Sequence, residues 1–124
     1  MKRNWDLIRE VLIRLDEKGP EKHALRAEDF DEERHHEVAY QVELLKEAGL
    51  VDGQIMKAAS GPPDFLALRL TWEGHELLDA IRNDTVWKRT KESFLTKGLS
   101  MTFELVRSVA ISIATEFLKS KISI

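Results

Sequence analysis

Apolar residues return every three or four positions through Trp5, Ile8, Val11, Leu12 and Leu15, with Arg3, Glu10, Arg14 and Glu17 on the other side. That spacing predicts an amphipathic helix over residues 4–18. Asn4 stands where a side-chain cap is needed, and Gly19-Pro20 closes the helix, because proline disfavours helical geometry in the residue before it. A mixed polar stretch follows, in which His23-Ala24-Leu25-Arg26 has the length of a short strand. Asp31 is the expected cap of a second helix reaching Ala48, with Glu32 and Glu33 in the first turn, where the helix dipole favours them. Val38, Val42 and Leu45 form its buried stripe, and Gly49 supplies a left-handed C-cap.

The period then changes. Residues 51–58 and 64–71 read as strands, the second because Leu66, Leu68 and Leu70 alternate with Ala67 and Arg69. The expected hairpin is antiparallel, with the three leucines facing the helices. Ser60-Gly61-Pro62-Pro63 cannot continue a ladder and makes the loop between the strands. Thr71 caps a helix to about Arg82 with Leu77, Leu78 and Ile81 inward, and Asp84 is expected to start a fourth, carrying Val86, Trp87 and Phe94 to Gly98. A last helix, Thr102 to about Ile122, carries Phe103, Val106, Val109, Ala110, Ile113 and Phe117. Helix, helix, looped hairpin and helix is the winged-helix order. The expected class is therefore α+β, mainly helical: a winged helix-turn-helix-like core over residues 1–98 with a small antiparallel hairpin. A C-terminal amphipathic helix over residues 99–124 is appended to it, joined through Lys97-Gly98-Leu99-Ser100.

Composition narrows the chemistry. A chain of 124 residues can bury a proper core, and the absence of cysteine removes disulfides, thiolate metal sites and thiol nucleophiles. The start, MKRNWDLIREVL, turns charged and amphipathic too soon for a signal peptide, and no run of 18 apolar residues exists to span a membrane. The expected address is cytoplasmic.

Two segments go beyond generic pattern. Tyr40-Gln41-Val42-Glu43-Leu44-Leu45-Lys46-Glu47-Ala48-Gly49-Leu50-Val51 and Leu70-Thr71-x-x-Gly74-x-x-x-Leu78 resemble segments of bacterial winged-helix regulators of the arsenic-repressor and multiple-antibiotic-resistance-regulator type. In those proteins the first leads from the recognition helix into the wing, and the second leaves it. Over most of its length the chain is similar to a narrower family. MKRNWDLIREVL and LTWEGHELLDAIRNDTVWKRTKE resemble the signatures of short bacterial and prophage proteins known as a domain of unknown function. That resemblance implies a winged-helix fold and an association with phage, but no activity.

Charge bears on which partner such a fold could take. In a DNA reader the second helix would lie in the major groove. Its outward residues are expected to be Glu33, His36, Glu37, Tyr40, Glu43 and Glu47: four carboxylates and no lysine or arginine. Residues 28–64 hold ten acidic side chains against Arg34, Lys46 and Lys57, a net of −7 in a chain whose total is −3. Phosphates repel such a surface, since nonspecific affinity for nucleic acid comes from cations. Arg82, Lys88, Arg89 and Lys91, with Lys97, are the one basic cluster and the expected nucleic-acid contact if there is any. Trp87 and Phe94, seven apart on the same segment, have the spacing of core rather than of a base-stacking strip. Adjacent His35 and His36 point about 100° apart on a helix and cannot share a metal, and no HExxH spacing occurs. No phosphate-binding glycine loop or nucleophile elbow is present. The sequence therefore predicts no enzyme, no cofactor and no metal. It points to a protein-interaction or assembly module, with a DNA-binding transcriptional regulator as the alternative. Self-association is expected through Phe103, Val106, Ala110, Ile113 and Phe117, because Leu105, Val109 and Leu118 widen that stripe beyond one contact.

Overall fold

The computed structural model describes the backbone of residues 1–122 and the side chains of residues 1–120. Among the described residues five α-helices and one antiparallel hairpin follow in the order α1 (Trp5–Glu17), α2 (His35–Glu47), β1 (Val51–Met56), β2 (Asp64–Leu70), α3 (Trp72–Ile81), α4 (Asp84–Lys97) and α5 (Phe103–Ile122). The class is α+β and mainly helical. Compact units cover Met1–Glu76 and Leu77–Ile124.

In the first unit α1 starts where Asn4 caps it, its side chain accepting from the Leu7 amide at 3.1 Å. Leu7, Ile8, Val11, Leu12 and Leu15 form the buried stripe of α1. Two short 3-10 turns, Ala27–Asp29 and Glu32–Arg34, precede α2. Here the expectation is corrected: Asp31 makes no side-chain cap, and the α-helix begins at His35. The reason is non-local. Arg34 is pinned by a two-pronged contact with Glu10 of α1, at 2.9 and 3.2 Å, and this holds the turn tighter than an α-helix. At the other end of α2, Gly49 has φ +76°, the left-handed cap that glycine adopts without a Cβ penalty.

β1 and β2 pair from Val51↔Leu70 to Met56↔Asp64, with an irregularity between Asp52 and Gly53. The inward face of β2 is also corrected. Phe65 and Ala67 are wholly buried, Leu70 is buried, and Leu66 and Leu68 are only half-buried. The ring of Phe65 lies 6.4 Å from that of Phe30, so the aromatic pair sets the phase. The short strand expected at His23–Arg26 is reduced to one bridge, in which Leu25 and Ala67 exchange two hydrogen bonds of 2.9 Å. Thr71 caps α3 as the sequence requires: its hydroxyl oxygen accepts from the Gly74 amide at 3.1 Å and donates to the Gly49 carbonyl at 2.7 Å.

In the second unit Leu77, Leu78 and Ile81 are buried, as are Val86, Trp87, Thr90 and Phe94 of α4. α4 starts at Asp84 as expected, capped by Asn83, whose side chain accepts from the Val86 amide at 3.0 Å. α4 ends at Gly98, and α5 packs along it. No helix among the described residues is long and apolar enough to cross a membrane.

Candidate interaction surface

α2 is positioned by polar contacts as much as by its apolar stripe. Gln41 is completely buried within that stripe. Its side-chain oxygen accepts from the Asn4 amide at 2.9 Å, and its side-chain nitrogen donates to the Lys2 carbonyl at 3.0 Å. Asn4 in turn donates from Nδ2 to Glu37 at 2.7 Å. A buried amide must be satisfied, so this pair of contacts fixes residues 2–4 against the middle of α2. Nothing in the period of the sequence singled out Gln41. Its one signal is an amide placed between Val38, Val42 and Leu45.

That anchoring decides the look of the outward face. Glu33 sits on the 3-10 turn rather than on α2, and is exposed, as are His36 and Glu47. Glu37 is occupied by Asn4, and the Glu43 carboxylate lies 3.8 Å from the Lys57 ammonium. Tyr40 is half-buried and lines a shallow hollow with Arg3, Leu44, Glu47 and Ala48. The structure thus gathers Tyr40, Glu43 and Glu47 with two cations that sequence reasoning left elsewhere, Arg3 and Lys57. The surface can offer an aromatic and aliphatic floor, carboxylates and one guanidinium to a partner. His35 turns away from it, with Nε2 at 2.9 Å from the Phe30 carbonyl oxygen.

The shifted titratable groups belong to ties between segments. Glu10 lies below the usual carboxylate range because Arg34 hydrogen-bonds it, with Arg14 adding a second cation at 2.9 Å. Arg14 also donates to the Asp29 carbonyl at 2.7 Å and stacks 4.4 Å above the Phe30 ring. Burial pushes the Asp29 carboxyl up, yet the Arg26 amide and the Lys22 ammonium together hold it low. Asp64 behaves alike: burial raises it, and the Arg26 guanidinium at 2.8 Å with the Phe65 and Ala27 amides outweighs burial. These carboxylates fasten the 21–34 segment to α1 and β2.

In the second unit Arg82, Lys88 and Arg89 are exposed, and Lys91 is half-buried with its ammonium 5.5 Å from the Trp87 ring centroid. Lys88 and Arg89 share a hollow with Asp84, Thr85 and Glu92, so two carboxylates dilute the basic cluster. The α5 residues expected to pair with a second copy are distributed differently. Val106 and Ala110 are wholly buried, while Phe103, Ile113 and Phe117 are half-buried, with Arg89 6.0 Å over the Phe117 ring. That stripe is the inner face of α5. Exposed apolar side chains lie elsewhere: Trp72, 74% exposed at the start of α3, and Leu95, Leu99, Leu105, Ile111 and Leu118. Trp72 follows the Thr71 cap and stands off the Leu77–Leu78–Ile81 stripe, which is the signal that could have found it.

Residues 2–100 match a family model described as "Hypothetical protein (DUF2513)". The chain is 38% identical, over 118 residues, to an uncharacterised protein of Haemophilus influenzae, covering 95% of this chain and 99% of that relative. No solved structure matches it.

Proposed function

The chain belongs to this DUF2513 family of hypothetical proteins, and from that premise we propose that it is a non-catalytic interaction module of the cytoplasm, built on a winged-helix core that has exchanged its DNA-facing cations for a protein-docking surface. The element order α1, α2, β1, β2, α3 supports the winged-helix assignment. The observation that carries the functional reading is the outward surface of α2. Half-buried Tyr40 and Leu44 are set there among Glu37, Glu43 and Glu47, where a groove reader needs lysine and arginine. An aromatic anchor in a shallow hollow with a charged rim suits a protein partner. Its carboxylates favour a basic one. The association with phage or another mobile element that the sequence resemblance implies is part of the same proposal, and gene neighbourhood bears on it.

Titration with random duplex DNA at physiological salt tests this reading. The expected result is no binding, weaker than the roughly 10⁻⁴–10⁻⁶ M of nonspecific readers. Neutralising Glu33, Glu37 and Glu47 together to glutamine should raise any residual affinity, and Tyr40→Ala should not. Micromolar binding with a steep salt slope, lost on replacing Lys88 and Arg89, would establish the alternative, a DNA-binding regulator reading through its basic cluster.

A further inference from the structure

The face of α5 turned away from α4 is a second exposed surface, independent of that of α2. Glu104, Ser108, Ile111, Thr115 and Lys119 follow one another at helical spacing and are all exposed, with Leu118, 60% exposed, beside the row. The two ends of the row carry opposite charges, fifteen residues apart, roughly 22 Å along the helix. Between them stand a serine, an isoleucine and a threonine, small or slim enough for a second helix to approach closely. Arg107 and Glu116 flank the row at equal distances from the same midpoint, between Ile111 and Ser112.

We propose that α5 pairs antiparallel with α5 of a second copy of this chain, Glu104 of each copy facing Lys119 of the other about a two-fold axis near Ile111. The charges select both the occupant and the direction. In an antiparallel pair each acidic end meets a basic end, twice by symmetry. In a parallel pair Glu104 would meet Glu104 and Lys119 would meet Lys119. The helix dipoles oppose one another only in the antiparallel arrangement. Such a contact is isologous and closes as a dimer without leading to fibres. One helix pair lies at the small end of stable interfaces, so the dimer is weak and reversible. The surface used is opposite the Val106–Ala110 face, which packing within the unit already covers.

Sedimentation equilibrium of the full chain and of charge-reversed variants decides the matter, with circular dichroism to confirm that each variant is folded. The native chain should dimerise at high micromolar concentration. Glu104→Lys and Lys119→Glu should each weaken the dimer by roughly tenfold or more, since a reversal turns two attractions into two repulsions. The double variant E104K/K119E should recover it, as should mixing the two single variants. Ile111→Asp should abolish it. A native chain that stays monomeric at millimolar concentration overturns the proposal. So does a dimer indifferent to both single reversals, or one that the double variant fails to restore.

Discussion

Gly74 rests on the carbonyl oxygen of Leu50: a Cβ built on Gly74 would lie 2.1 Å from it. The same carbonyl accepts from the Thr71 amide at 3.0 Å, so the first turn of α3 is set against the start of β1 with no room for a methyl group. Gly74→Ala should therefore destabilise by about 1–3 kcal/mol, as overpacking does, although alanine is the better helix former by about 1 kcal/mol. Urea denaturation checks this, with Trp72→Ala as the control. Trp72 is mostly exposed, and its removal should stay within about 0.5 kcal/mol.

The phase of β2 gives a second comparison. Phe65→Ala should cost about 3–5 kcal/mol, because the ring is wholly buried beside Phe30. Leu68→Ala, at a half-buried position, should cost well under half as much. Equal losses would mean that the leucines, and not Phe65, hold the sheet to the helices.

Asn4 has two tasks, capping α1 and reaching Glu37. Asn4→Ala should cost about 1–2 kcal/mol through the cap, and limited proteolysis near Lys2 and Arg3 should accelerate. Gln41→Leu should also release the amino terminus while leaving the cap intact. Protease sensitivity without loss of the α1 cap is thus the signature of the Gln41 contacts.

Glu10, Asp29 and Asp64 are all held below the usual carboxylate range, of about 4. A carboxylate depressed in the folded state contributes its stability above its unfolded pKa and loses it as pH falls through the folded one. Thermal unfolding should accordingly hold steady down to about pH 5, then weaken progressively on acidification below the ordinary carboxylate range. Asp64→Asn should lower the plateau and flatten part of that fall. An acid limb identical in native and D64N proteins would remove Asp64 from the account.

What was legible in the sequence was local. Asn4, Gly49 and Thr71 act on backbone groups within a few residues, so the types and positions of α1, the end of α2 and the start of α3 follow from short-range chemistry. The start of α2 did not, because Arg34 answers to Glu10 across 24 residues of sequence. Nor did the phase of β2: Phe65, Leu66, Ala67 and Leu68 are all apolar, so both faces read as buried until Phe30 chooses one. At the α2 surface the residue types were readable and their neighbours were not. Arg3 and Lys57 reach that face only because Gln41 anchors the amino terminus and the hairpin returns beside Glu43.

The single bridge between Leu25 and Ala67 matters beyond its two hydrogen bonds. An unpaired strand edge invites another chain to add to the sheet. Leu25 occupies the outer edge of β2 at its midpoint, and the Arg26–Asp64 pair closes the end of the strand. That leaves β1 as the open margin, and the register shift, in which Leu68 of β2 has no partner between the Asp52↔Arg69 and Gly53↔Ala67 pairs, adds local twist that spoils the straight template strand addition needs. One residue of β pairing thus seals a two-stranded sheet against growth from β2. Leu25→Pro, which removes one of those hydrogen bonds, would expose the edge and turn the hairpin toward aggregation.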